Sequence, residues 1–235
     1  MKTFLKILYN PVEAFRDLKN TGKFPFMALI LLLVVVIINQ ILMIPVTTKT
    51  TEISFSSMAL PLNDDQIETT MNMMYKLRYL QVVAAVFSHL FLLAFYTLII
   101  WLFLKIAKQK LSFQKTFEFI IHCFLVLCLG DLVNTFLLYY QGIENISNMY
   151  EIALTGLNLL TSTERVGVTF YTFLATINPF YIWFVILLTI GLKILADIKY
   201  AKAFIFSFIF WAILVSITVV PIYFTQTLLH NKGLI

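Results

Sequence analysis

The sequence predicts an all-α fold, a polytopic membrane helix bundle of five transmembrane helices, on three observations. The 235 residues are 60% apolar and only 12% charged, whereas soluble domains carry about 25% charged residues. A soluble chain this apolar could not cover its own surface, and lipid is the solvent that removes the problem. Second, five stretches reach the roughly 20 apolar residues that a helix needs to cross the hydrocarbon core. Third, Lys and Arg are distributed unevenly over the segments between those stretches.

The five spans fall at about 24–46, 80–104, 119–140, 179–195 and 203–224. The fourth has a natural extension toward Thr172. The apolar run from Phe24 is longer than the core of a signal peptide, so it is expected to stay in the membrane. One set of flanks carries Lys2, Lys6, Arg16, Lys19 and Lys23, then Lys105, Lys108, Lys110 and Lys115, then Lys193, Lys199 and Lys202. The other set carries Lys49, Lys76, Arg78, Arg165 and Lys232. Twelve basic residues against five put the first set in the cytoplasm by the positive-inside rule. The expected topology has the N-terminus cytoplasmic and the C-terminus outside. Residues 1–23 then form a cytoplasmic segment, 24–225 the five-span domain and 226–235 an outer tail. The short basic connections KIAKQKLSFQK and LADIKYAKA turn spans two and three, and spans four and five, into antiparallel hairpins.

Residues 1–20 read as an amphipathic helix at the membrane surface. Asn10 is a good N-cap and Pro11 suits the first helical position. Leu5, Ile7, Leu8, Val12, Phe15 and Leu18 form an apolar stripe, with Lys6, Glu13, Arg16, Asp17 and Lys19 beside it. That pattern suits the anionic inner leaflet; the alternative is a short tail packed on the bundle. In the first outer loop, TTKTTEISFSS begins polar, and a helix starts near Asn63 and runs into span two. In the second, Tyr150, Ala153, Leu154, Leu157 and Leu160 recur at helical spacing and predict an amphipathic helix.

No catalytic, cofactor-binding or metal-binding motif is present, and the function expected is non-enzymatic, with no cofactor and no nucleic acid. His89, His122 and His230 sit in different segments, and His89 reads as a polar group bonded between helices. Cys123 and Cys128 read as buried thiols. Asp131 stands out, because a carboxylate within a span costs about 2.5–3.5 kcal/mol to insert. Asn134 shares its helix face, and Gly130 admits a close helix at that level. Asp131, Asn134 and His89 form the candidate intramembrane polar cluster. It reads as a packing clamp or, alternatively, as the centre of a small transporter or channel. Lys193 and Asp197 are spaced for an i,i+4 pair. Arg16, Lys105, Lys108, Lys110, Lys193, Lys199 and Lys202 form a candidate inner interaction face for anionic lipid or an acidic partner.

Three segments carry a family resemblance. NPVEAFRDLKNTGKFPFMALILLLVV, with Pro11 and Phe15, resembles the start of bacterial Yip1-domain membrane proteins, the Rab-interacting family. KQKLSFQKTFEFIIHCFLV resembles the second element of that family. INPFYIWFVILLTIGLKILADIKYAKAFI, with Trp183 and Gly191, resembles the third. The resemblance implies five spans and no enzymatic activity. Its eukaryotic members bind Rab GTPases and shape or traffic membranes, a role without a bacterial counterpart. Some bacterial relatives act with ABC exporters of the macrolide-exporter type and their periplasmic adaptors. The resemblance therefore implies a bacterial inner-membrane scaffold or accessory protein. Its partners would be the bilayer, an exporter permease and adaptor, or further copies of itself.

Overall fold

The computed structural model describes residues 2–20, 26–57, 64–148 and 150–231. Lys23, Phe24, the expected helix start at Asn63 and Lys232 lie outside these residues, as do the side chains of Leu5 and His230. Every regular element described is helical. Two short helices, α1 (Lys2–Tyr9) and α2 (Pro11–Asn20), precede the long α3 (Phe26–Ser57), α4 (Asp64–Ile106) and α5 (Phe113–Gln141). After a long connection come α6 (Thr163–Val166), α7 (Val168–Ala175), α8 (Pro179–Leu195) and α9 (Tyr200–Asn231). Helices α3, α4, α5 and α9 are each long and apolar enough to cross a membrane. Helices α7 and α8 meet at a 53° bend; counted as one span, the bent pair is the fifth. The extension toward Thr172 thus exists, as a separate helix.

The long helices exceed the expected spans. α3 continues through the Thr-rich segment, where Thr47, Thr50 and Thr51 return their hydroxyls to the carbonyls of Ile44 and Thr47. Satisfied on their own helix, these threonines do not break it. α4 runs unbroken for 43 residues, about 64 Å at helical rise. α9 includes residues 226–231 of the expected tail and accommodates Pro221.

Helix α5 is the axis. It packs on α3, α4 and α8, and α8 packs on α9. Every residue from Phe119 to Cys128 is buried, including both thiols. Ser112 caps α5 by accepting from the Lys115 amide. The basic connections join α4 to α5 and α8 to α9 at one end of the bundle, called here the basic end.

The N-terminal segment corrects the expectation of a single surface helix. It breaks at Asn10, whose Oδ1 accepts from the Glu13 amide while its Nδ2 donates to the Glu13 carboxylate. Ile7, Phe15 and Leu18 from the stripe are buried in the core, together with Ala14. The stripe therefore faces α5 and α8, leaving Leu8 and Tyr9 exposed. On the other side, α1 folds back on α2 through Lys6, which meets Asp17 at 2.9 Å and Glu13 at 3.1 Å. Those carboxylates, Asp17 foremost, hold the Lys6 ammonium above its ordinary pKa of 10.5.

The second loop is also corrected. Residues 151–154 are extended, and the helix predicted from Tyr150 to Leu160 is absent. In place of a helical stripe, Ile152 and Leu154 pack on a small second core of Val46, Leu138 and Ile146. Leu157 and Leu160 are exposed within a single 3-10 turn.

Candidate functional site

Three segments far apart in the sequence converge at the basic end. Phe15 of α2 meets Phe119 of α5 edge to face, at 5.5 Å between ring centroids. The Phe119 ring in turn lies against Gly191 of α8, where a Cβ would collide with it. Beside this stack, Lys115 donates to the Leu18 carbonyl at 2.7 Å and to Glu118 at 3.0 Å. That contact caps the C-terminal turn of α2 and neutralises a buried carboxylate at once. Pro11 starts α2. Trp183 is half-buried and borders an apolar groove with Leu8 and Phe180. The motif residues thus form the joint between the N-terminal helices and the bundle.

Around this joint the basic end is exposed at Arg16, Lys105, Lys108, Lys110, Lys199 and Lys202. Lys105 lies over the Trp101 ring and Lys202 over Phe206, so their stems cover aromatic surface while their charges stay outside. Lys193 is half-buried and meets Asp197 at 3.7 Å, as its spacing predicts.

The polar residues of the far half are arranged differently from their predicted cluster. Asp131 and His89 line one half-open cavity of about 400 Å³ between α4, α5, α7, α8 and α9. Asp131 lies toward the far end of α5 and is exposed to that cavity. His89 bonds through Nδ1 to the Ala85 carbonyl of its own helix, at 2.8 Å, and not to another helix as expected. His122 is buried below, bonded to the Glu118 carbonyl. Asn134 borders the cavity, but both ends of its amide are occupied by the second loop. Its Nδ2 donates to the Ile152 carbonyl at 2.9 Å, and its Oδ1 accepts from the Leu154 amide at 2.6 Å. It acts as a strand partner for the extended segment, and with Thr163, Glu151 and Asn158 it fixes a roof over the cavity. Gly130 plays the part predicted for it. A Cβ there would stand 2.6 Å from Phe180 Cγ, so α8 closes on α5 beside Asp131.

Tyr96, Tyr181, Thr172, Thr176, Asn178 and Thr218 complete much of the lining and were not singled out in the sequence. Asn178 was legible as an N-cap before Pro179, and its Oδ1 accepts from both the Phe180 and Tyr181 amides. Single threonines and tyrosines in apolar helices carry no such signal. Among the described residues no group of His, Cys, Asp or Glu side chains could hold a metal ion.

No curated protein and no solved structure matches the chain. A family model does, and it covers residues 5–220, from within α1 to within α9, including the joint and the bundle between them. This multi-pass helical membrane protein therefore belongs to the Yip1 domain family.

Proposed function

We propose that the protein is a non-enzymatic membrane scaffold or accessory subunit. Its leading partner is an ABC-type efflux complex of the macrolide-exporter class, in a bacterial inner membrane with the basic end in the cytoplasm. The observation that carries this reading is the contrast between a sealed interior and an exposed basic end. Helix α5 is buried without interruption from Phe119 to Cys128, and the part of it from Phe119 to Cys123 separates the cavity from the basic connections. A transport route past Asp131 would have to cross that packing, which weighs against a transporter or channel. The exposed lysines and Arg16, by contrast, form a surface suited to acidic partners or anionic lipid. The exporter as partner rests on the family resemblance.

The test is recovery of the tagged protein from crosslinked membranes in mild detergent, followed by mass spectrometry. A stoichiometric membrane partner is expected, with an exporter permease and adaptor first among them. Charge reversal at Lys105, Lys108, Lys199 and Lys202 should reduce that recovery while the protein still inserts. Recovery of the protein alone from crosslinked membranes would overturn the reading.

A further inference from the structure

The carboxyl of Asp131 opens into a cavity that no Lys or Arg lines; the basic side chain that shares it is the His89 imidazole. Among the described residues, no hydrogen bond or ion pair reaches that carboxyl; the Thr135 hydroxyl bonds the Asp131 backbone carbonyl instead. The buried carboxylate on the same helix, Glu118, has Lys115 at 3.0 Å. A carboxylate at such depth needs a counter-charge or a proton.

The rest of the lining is rich in acceptors, and the hydroxyls of Tyr96 and Tyr181 are among its donors. The hydroxyls of Thr172, Thr176 and Thr218 donate back to Val168, Phe173 and Leu214 on their own helices, leaving oxygen lone pairs free. Because a carbonyl only accepts, Nδ1 of His89 carries the hydrogen toward Ala85, which makes Nε2 the acceptor whenever the ring holds a single proton. Of the donors that an anion would seek, the backbone and side-chain amides are already used. The amides of the first turn of α8 are taken by Asn178, and the Asn134 amide group by the loop. Aromatic rings supply the remaining walls, with Tyr96 and Phe124 at 5.7 Å and His89 and Phe124 at 6.4 Å. Rings of this kind attract a cation to their faces, and the volume suits a small molecule.

We propose that this cleft binds a small organic ammonium ion with an apolar body. Asp131 supplies the counter-charge, His89 Nε2 and the threonine oxygens accept N–H groups, and Tyr96, Phe124 and Tyr181 surround the apolar part. Binding at this site requires no partner protein and does not depend on the scaffold reading.

The test uses the full chain in lipid nanodiscs and isothermal titration calorimetry, with empty discs subtracted. The probes are benzylammonium and benzyl alcohol, which match in shape and differ in charge. Benzylammonium should bind saturably, and benzyl alcohol about tenfold more weakly or worse, since hydrogen bonds to charged groups are the stronger ones. Asp131→Asn should remove the preference, and Asp131→Glu should retain most of it. Equal binding of the two probes, no saturable binding, or an unchanged preference in Asp131→Asn would overturn the proposal. If Asp131→Asn fails to assemble, the comparison of the two probes on the natural sequence decides. None of these outcomes bears on partner recovery from membranes, so the two proposals fail separately.

Discussion

The two halves of helix α5 are built on opposite principles. From Phe119 to Cys128, toward the basic end, every residue is buried, and distant segments are joined by apolar contact. From Asp131 to Tyr140 only Thr135 and Leu138 are buried, and the surroundings are held by side-chain amides bonded to backbone. The basic half contains Phe15, Phe119 and Gly191, one from each segment that carries the family resemblance. The far half contains the cavity and the long second loop. Apolar packing of this density fixes one arrangement and tolerates little change. A loop stapled by a few hydrogen bonds can change its sequence while the bundle stays intact. An apolar joint and a polar cavity thus occupy separate ends of one helix.

The largest test of this contrast is Phe15→Ala. It empties a fully buried ring site and should cost about 3–5 kcal/mol. Thermal unfolding in detergent and protease sensitivity of the N-terminal helices should both register the loss; unchanged values would mean that the stack does not hold the joint. Asn134→Ala is the matched test of the far half. Both loop amide contacts go with it, for a cost of about 1–3 kcal/mol. Faster hydrogen exchange should appear at the Leu154 amide and nearby in residues 151–154. Spread of that effect to Phe119–Cys128 would dissolve the distinction between the halves. The smallest effect is expected at Lys6. Its pKa is raised by Asp17 and Glu13, so its contribution to the fold-back of α1 on α2 is complete below pH 10.5. It is lost as the pH rises further through the raised folded value. Helicity of residues 2–20, followed by NMR, should fall only in that alkaline window, and Lys6→Met should remove the dependence.

The membrane-crossing helices were legible because length and apolarity are nearly sufficient criteria in lipid. The close helix at Gly130 and the Lys193–Asp197 pair were legible because spacing alone defines them. The second loop misled because Tyr150, Ala153, Leu154, Leu157 and Leu160 match a helical period. Ile152 and Leu154, at a period of two and followed by Gly156, carried the competing extended signal. What decided between them was Asn134, an amide outside the loop that no local pattern could include. Asp131 was found from its cost. Its neighbours Tyr96, Tyr181 and Thr218 were not, since a cavity wall drawn from several helices has no sequence period.

The Phe15–Phe119–Gly191 stack also has a history in time. Translation adds about 5–20 residues per second, so Gly191 is made roughly 9–35 s after Phe15 at those rates. Throughout that interval α2 exists without the glycine surface that completes its seat. Its stripe of Ile7, Phe15 and Leu18 must be covered by something else, and the lipid surface beside it is the nearest apolar phase. The amphipathic pattern of the first twenty residues therefore serves two successive environments: a membrane surface during synthesis and a protein groove afterwards.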